Sequence, residues 1–291
     1  MKKYELVTEL SEEFLCKKLF RIRALVSFEG VEAGDLGGWV EKEENLDQAG
    51  DAWVSGNARV SGNARVSGDA RVYGNAWVSG NARVSGDARV SGDARVYGNA
   101  WVSGNAWVSG NAWVSGYARV SGNARVSGNA RVSGYARVSG NAQVSGNARV
   151  SGNAQVSGNA RVSGNAQVSG DAWVSGDARV YGNAWVSGNA WVSGDAWVSG
   201  YARVSGNALV YGNARVSGDA HHITIGPIGS ECGVVNAFRQ RDNSIMVSRG
   251  CFSGTIEEFA EAVRKRHGGT HYADEYEIVI KLIETRLAEI N

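Results

Sequence analysis

The hydrophobic positions of the chain follow a strict six-residue period from Gly50 to Ser217. The 28 hexads share the pattern Val-Ser-Gly-Asn/Asp-Ala-x, in which valine is invariant. Valine is β-branched and suits the interior of a short strand, and alanine is small enough for a crowded axis. Glycine together with Asn or Asp supplies the backbone freedom that sharp corners need. Three such faces per turn predict a parallel β-helix of about nine coils.

The chain divides into three predicted segments around this repeat. Residues 50–220 are the repeat, residues 1–49 an N-terminal cap and residues 221–291 a small C-terminal α+β domain. A cap is expected because the exposed strand edge of a parallel stack would otherwise recruit another chain. In the cap, residues 18–26 alternate apolar and basic residues and predict a strand. Residues 37–40 resemble an imperfect hexad.

The C-terminal segment has the complexity of an ordinary globular domain. Residues 223–229 predict a last strand and turn, and residues 234–239 and 244–248 flank a turn and predict a hairpin. A capping box from Thr255 to Glu258 predicts a helix that ends near His267, before two glycines. A final helix from about Ala273 is indicated by one apolar stripe, made of Tyr276, Val279, Ile280, Ile283, Leu287 and Ile290.

Charge is unevenly distributed along the chain. The net charge is +1, yet residues 50–220 carry 15 Arg and 8 Asp, which gives +7 and leaves −6 for the remainder. This asymmetry is typical either of a protein with an anionic partner or of one that needs charge for solubility. The three cysteines are too scattered for a disulfide framework or a metal site. Without an apolar run of membrane length or a signal peptide, the sequence predicts a cytoplasmic protein.

The hexads, and the segment from Phe20 through Trp39-Val40 into Gly50-Asp-Ala-Trp-Val54, resemble the hexapeptide-repeat family. The chain also resembles uncharacterised bacterial and phage members of this family that are labelled as acyltransferases. It implies a left-handed parallel β-helix and a homo-oligomer, either a trimer or a dimer. If the gene is phage-borne, the location is the host cytoplasm.

The enzymatic interpretation of this resemblance can be compared with the residues. Acyl-CoA-dependent members of the family use a histidine on a coil as general base and carry a loop inserted between hexads. Residues 50–220 contain no histidine and no insertion, so the family's catalytic position has no counterpart here. His221 and His222 directly follow the repeat, and they are expected to be surface residues rather than a pair of metal ligands. Acyltransferase activity is therefore the alternative function, and no catalytic residue or cofactor is predicted.

Alternation of side chains places position x and the serine position outside, on either side of the buried valine. Position x is Arg 15 times, Trp nine times, Gln three times and Leu once, and residues 18 apart form ladders. One interpretation is structural, since Arg stacks on Trp and repeated Arg discourages aggregation. The other is that Arg binds phosphate while Trp stacks on a base or sugar. The candidate residues for such binding are Arg71, Arg89, Trp107, Arg125, Trp173 and Trp191.

A second candidate site lies in the C-terminal segment. There the backbone N–H groups of a glycine-rich turn could receive an anion beside arginines, although an ordinary turn is the simpler interpretation. Its residues are Gly226, Gly229, Ser230, Arg239 and Arg249. Cys251 lacks a paired base and is expected to be a buried structural cysteine. A row of stacked Asp residues, which includes Asp69 and Asp87, is expected to balance Arg charge, so no metal site is predicted.

These observations predict a non-catalytic β-helical binding or scaffold protein. Its expected ligand is an anionic small molecule of the nucleotide type, held by the Arg/Trp ladders or by the C-terminal domain. In a phage, such a protein would sequester nucleotide-type signals of host defence. A structural spacer or oligomerisation rod is a further alternative, and nucleic acid is a less supported partner.

Overall fold

The computed structural model describes residues 2–288, and of Asp219 it describes the backbone alone. Two compact units, Met1–Asn159 and Ala160–Asn291, make up the chain. The fold is mainly β, with a β-solenoid of about 10 turns, parallel sheets, a small antiparallel sheet and two C-terminal helices. The predicted fold class is confirmed.

Each repeat strand has two residues, an outward residue followed by valine. These strands recur every six residues, from β4 (Trp53–Val54) to β21 (Gln155–Val156) in the first unit and from β22 (Arg161–Val162) to β31 (Arg215–Val216) in the second. Within each unit, repeat strands 18 residues apart pair in parallel, as where Val90 lies beside Val108. The valines and alanines of the repeat are fully buried, which is the hydrophobic burial that stabilises the narrow core.

The corners of the coil depend on glycine alone. Gly110 has a φ of +65°, and a Cβ atom built there would lie 3.0 Å from the backbone nitrogen of Gly128 in the next coil. Only glycine tolerates this conformation and this approach together. The expectation that Asn and Asp share the left-handed role is wrong, since no repeat Asn or Asp has a positive φ. Instead their side chains form ladders, in which Asn123 Nδ2 donates to Asn141 Oδ1 at 3.1 Å.

Three longer strands begin the first unit: β1 (Tyr4–Phe14), β2 (Lys17–Ala24) and β3 (Leu36–Val40). The strand predicted near residues 18–26 is β2, whereas β1 was not predicted. The antiparallel β1–β2 hairpin turns at Leu15 and Cys16, which have φ values of 48° and 59°. Leucine and cysteine are unusual in this left-handed conformation, so the turn carries none of the residue signals that normally reveal a hairpin.

The solenoid begins before Gly50. Val40 pairs in parallel with Val60, and Leu46 forms a parallel bridge with Val66. Between them a 3₁₀ helix, Glu43–Asn45, supplies the buried Asn45. Its amide donates to the carbonyl oxygens of Gly62 at 3.0 Å and Ala64 at 2.9 Å. The imperfect hexad predicted at residues 37–40 is the part of this coil that pairs with the repeat at Val60. The hexad pattern does not reveal the rest of the coil, because an amide and a leucine replace the repeat residues there.

The second unit ends in an antiparallel sheet packed against two helices. The sheet consists of β32 (His222–Ile228), β33 (Gly233–Arg239), β34 (Ile245–Arg249) and β35 (Phe252–Thr255). The predicted hairpin is confirmed as β33–β34. Helix α1, Ile256–His267, begins with the predicted Thr255 capping box. Helix α2, His271–Leu287, begins two residues earlier than predicted, and Ile290 of its predicted stripe lies outside the described residues.

Within the second unit, the antiparallel sheet covers the end of the last coils. The guanidinium of Arg241 lies 4.7 Å from the ring centroid of Trp197 and donates to the carbonyl oxygen of Asp195 at 2.9 Å. The side chain of Asn236 accepts a hydrogen bond from Leu209 N at 3.1 Å. These contacts occupy backbone groups that would otherwise form an open strand edge.

Candidate functional site

A complete turn of tryptophan lies between two turns of arginine in the first unit. Trp101, Trp107 and Trp113 occupy the three faces of this turn. On each face the paired strands place an arginine directly before and after the tryptophan, as with Arg89 and Arg125 on either side of Trp107. The predicted outward Arg/Trp ladders are therefore present, and their aromatic members are grouped by turn.

One of these three faces forms a groove. Its volume is about 720 Å³, and it is lined by Arg71, Arg89, Trp107 and Arg125 together with residues of the neighbouring corner row and the N-terminal loop. Four of the six predicted solenoid residues therefore lie in one groove. The groove is also lined by corner and loop residues that the sequence did not predict to lie there. These residues are Glu29, Gly30, Asp69, Asp87, Asn105 and Asn123.

The orientation of the Trp107 indole is set by its neighbours. Its Nε1 donates to Ser91 Oγ at 3.2 Å, which holds the ring across the preceding coil. The guanidinium carbon of Arg125 lies 5.9 Å from the ring centroid. Such a cation–π contact contributes roughly 0.5–1 kcal/mol at an exposed site. The ring nevertheless remains 37% exposed, so it can also serve as a stacking surface.

Charge changes along the groove. At its N-terminal end Arg71 Nη2 lies 3.6 Å from the Glu29 carboxylate and also donates to the Glu29 carbonyl oxygen. The corner row beside it begins with Asp69 and Asp87 and continues with Asn105 and Asn123. Since the amides are neutral, the part of the groove around Trp107 has a surplus of guanidinium charge. That part, with Arg89 and Arg125 against Asp87, carries +1 and attracts anions, whereas the end with Arg71, Glu29 and Asp69 carries −1, so the lining as a whole is neutral.

The predicted residues Trp173 and Trp191 lie elsewhere, on one face of the second unit. Their rings stack with centroids 5.0 Å apart and an interplanar angle of 6°. Both are exposed, at 40% and 43%, and Leu209 follows Trp191 on the same face. They form an apolar strip without guanidinium groups between them, which distinguishes it from the groove of the first unit. The predicted homo-oligomer stays a prediction.

The C-terminal candidate residues do not form one anion-binding turn. Gly226 precedes Pro227 through a cis peptide bond inside β32. Gly229 N already donates to the Glu275 carboxylate at 3.0 Å, so the chain itself supplies the anion there. Arg239 is buried and its guanidinium donates to the carbonyl oxygen of Leu287 at the end of α2. Neither group is positioned for an external ligand.

Ser230 and Arg249, in contrast, line one cavity of about 190 Å³ together with Cys251 and aromatic residues of the helices. Cys251 is exposed, so the expectation of a buried structural cysteine is wrong. It follows Gly250, whose φ of +59° belongs to the tight turn between β34 and β35, and this turn projects the thiol outward. The sequence did not show this cavity because its lining residues come from two turns, two strands and two helices.

Within residues 2–288, no cluster of three or more His, Cys, Asp or Glu side chains is arranged to hold a metal ion. His221 Nδ1 lies 3.0 Å from Ser217 Oγ, and His222 Nε2 lies 3.1 Å from Thr224 Oγ1. The two imidazoles thus have separate local partners. In the same described part of the chain, no helix is both long and apolar enough to cross a membrane.

Burial makes His222 a source of pH-dependent stability. It lowers the pKa of His222 to about 4, below the ordinary value of 6.5. The unfolded chain therefore takes up the proton first, so stability is complete above pH 6.5 and falls as the pH drops towards 4. The expected loss is about 2–3 kcal/mol between pH 7 and pH 4.5. Thermal unfolding at pH 7 and pH 4.5 should show a smaller loss of stability for His222→Gln than for the unaltered protein. The exposed control His271→Gln should lose as much stability as the unaltered protein. Equal losses for His222→Gln and the unaltered protein would contradict the assignment of this loss to His222.

Comparison with known families identifies the repeat. The family model described as the YdcK beta solenoid repeat matches thirteen segments of the chain, which together cover more than half of it. These segments are residues 52–68, 64–80, 76–92, 88–104, 100–116, 118–134, 124–140, 136–152, 142–155, 154–170, 166–182, 172–188 and 202–218. No curated protein matches the chain. The finer resemblance to hexapeptide-repeat acyltransferases stays a prediction.

Proposed function

The chain belongs to the YdcK beta solenoid repeat family, and we propose that it is a non-catalytic binding scaffold for a nucleotide-type anion. The proposed site is the groove of the first unit, with Trp107 at its centre. The observation that carries the proposal is that an exposed indole lies between two guanidinium groups on consecutive coils of a single groove. The proposed role is to hold the ligand rather than to convert it, and in a phage this would be sequestration.

The chemistry of the groove suits both parts of such a ligand. An exposed indole ring stacks on a base, and every base has a face for this contact. Guanidinium groups donate two parallel hydrogen bonds to phosphate, in the charge-assisted geometry that arginine favours. Arg89 and Arg125 precede and follow Trp107 on the same face, so a phosphate can be bound on either side of a stacked base.

The groove also differs from the two chemically similar faces. Arg83, Trp101 and Arg119 repeat the same triad on a second face, where Arg119 lies 5.6 Å from the Trp101 ring centroid. Those residues are not part of the groove. Glu29 and Gly30 of the N-terminal loop line the groove that contains Trp107. The second triad is therefore a matched control for the first.

The nucleotide hypothesis predicts a face-specific loss of binding. The double variant Arg89→Gln/Arg125→Gln should bind ATP at least tenfold more weakly than the unaltered protein, because two charge-assisted hydrogen bonds are lost. Isothermal titration at low salt measures this, with 3′,5′-cyclic AMP as a second probe. Binding should weaken as salt is added, since the guanidinium–phosphate attraction is screened.

The control is Arg83→Gln/Arg119→Gln, which removes the same charge from the second triad. It should retain the affinity of the unaltered protein. Equal weakening in both double variants would show that net charge rather than the groove binds the nucleotide. Absence of binding to either nucleotide at millimolar concentration would leave the protein as a scaffold and refute the nucleotide site.

A further inference from the structure

The cavity of the C-terminal domain has a floor made of aromatic rings. Phe259 lies at its centre, with the ring centroid of Phe252 at 5.3 Å and that of Tyr276 at 5.8 Å. Phe259, Tyr276 and the neighbouring Val263 are buried and belong to the hydrophobic core of this domain. An apolar cavity of ~150 Å³ is large enough for benzene. The present cavity, at about 190 Å³, therefore has room for a six-membered ring with a short substituent.

The mouth of the same cavity carries two guanidinium groups and one carboxylate. Arg249 Nη1 donates to Glu231 Oε2 at 2.9 Å, and Arg266 Nη2 donates to Glu231 Oε1 at 2.7 Å. One carboxylate is thus shared by two arginines from different elements, β34 and α1. Among these three side chains the charge is +1, so the mouth of the cavity retains an unbalanced positive charge.

The two arginines differ in how firmly they are held. The Arg249 side chain is only 13% exposed, and it also donates to the carbonyl oxygen of Ile228 at 3.3 Å. Its Nε is buried without a hydrogen-bond acceptor among the described residues. Arg266 is 65% exposed and therefore free to adjust. Nη1 and Nη2 of Arg249 thus have acceptors whereas Nε has none in the described part of the chain, and an unsatisfied buried donor favours the arrival of a further acceptor.

Glu231 is the most readily displaced member of this cluster. It lies in the turn between β32 and β33, its side chain is exposed, and its hydrogen bonds from Arg249 and Arg266 hold its pKa below the ordinary range. Glu231 is therefore ionised at neutral pH. Since exposed ion pairs contribute little net free energy, an incoming carboxylate can replace this one at small cost.

We propose that this cavity binds a small aromatic carboxylate. The ring of the ligand would lie against Phe252, Phe259 and Tyr276, and its carboxylate would take the position between Arg249 and Arg266 that Glu231 now occupies. Glu231 is then an internal competitor that is exchanged for the ligand. This site is independent of the nucleotide groove, because its residues all lie in the C-terminal domain of the second unit.

The probe for this proposal is 3-phenylpropionate, with the neutral 3-phenylpropanamide as its matched control. Titration by NMR should show binding of the acid to the unaltered protein, and binding of the amide about tenfold weaker, because only the acid forms charge-assisted hydrogen bonds. Equal affinities for acid and amide would overturn the proposal, since an apolar cavity alone would then explain the binding. Absence of binding by the acid would also overturn it.

Variants of the cluster test whether the three charged side chains at the mouth of the cavity set the affinity for the acid. Glu231→Gln removes the internal competitor and should tighten binding of the acid by about threefold, and Arg266→Gln should weaken it by about threefold, because exposed ion pairs contribute little. Lys265→Gln makes the same change of charge on the exposed neighbouring residue, which does not line the cavity, and should leave the affinity unchanged. Unchanged or weaker binding by Glu231→Gln would refute the exchange.

The rate at which Cys251 is alkylated is a second measurement of ligand binding, and it needs no substitution. Cys251 lines the cavity and is exposed, while Cys16 is an exposed cysteine of the first unit. Saturating 3-phenylpropionate should slow alkylation of Cys251 and leave that of Cys16 unchanged, as measured by peptide mass spectrometry. Equal rates at Cys251 with and without the acid would place the ligand outside the cavity.

Discussion

Replacement of Val108 by aspartate is expected to open the solenoid at one coil. Val108 is fully buried, with Val90 on one side and Val126 on the other. The described neighbours offer no partner for a carboxylate at this position, and an uncompensated buried charge costs about 3–5 kcal/mol. In a solenoid each repeat contacts only its neighbours, so the loss is concentrated in that coil and those beside it. Denaturation with guanidinium chloride should show a lower midpoint, which corresponds to a free energy of unfolding that is smaller by this amount.

Hydrogen exchange separates this local effect from a general one. In Val108→Asp, amides of the coils around residue 108 should exchange quickly, while those near Val66 should keep their protection. The control Ser109→Asp adds the same charge at the adjacent residue, which is partly exposed, and should unfold like the unaltered protein. If Val108→Asp unfolds like that control, the assignment of valine to the interior is wrong.

Deletion of residues 97–114 is expected to weaken nucleotide binding strongly while preserving the fold. The deletion removes the turn that contains Trp101, Trp107 and Trp113. Because strands pair with partners 18 residues away, the remaining hexads stay in register. Arg89 would then lie directly beside Arg125 with no ring between them. Loss of stacking, which is worth about 1–3 kcal/mol per base, should weaken ATP binding by roughly five- to 150-fold.

A second deletion of equal length is the control. Deletion of residues 129–146 also removes one turn in register, but it leaves every groove residue from Glu29 to Arg125 in place. Circular dichroism should show similar β content for both deletions, and titration with ATP should show full affinity for this one only. Equal binding by the two deletion variants would mean that the tryptophan turn is not the site.

Much of the fold could be predicted from the sequence because every hexad of a repeat has the same local pattern and the same kind of neighbour in the adjacent coils. Valine, alanine and glycine each recur in the same environment, so one assignment holds for 28 hexads. Of the first coil, the repeat pattern showed only the imperfect hexad at residues 37–40, since Asn45 and Leu46 meet the same packing requirements with different residues. The β1–β2 hairpin also escaped prediction, because its turn residues, Leu15 and Cys16, rarely adopt positive φ.

The sequence by itself determined the periodic core, the outward position of Arg and Trp and, apart from the strand β35, the order of elements in the C-terminal domain. These properties depend on spacing and on side-chain alternation, which a sequence contains. Only the tertiary structure decided which of three equivalent faces becomes a groove, since that depends on where the loop with Glu29 lies. The sharing of Glu231 by Arg249 and Arg266 was likewise decided by folding, because residues from a turn, a strand and a helix meet there only after packing.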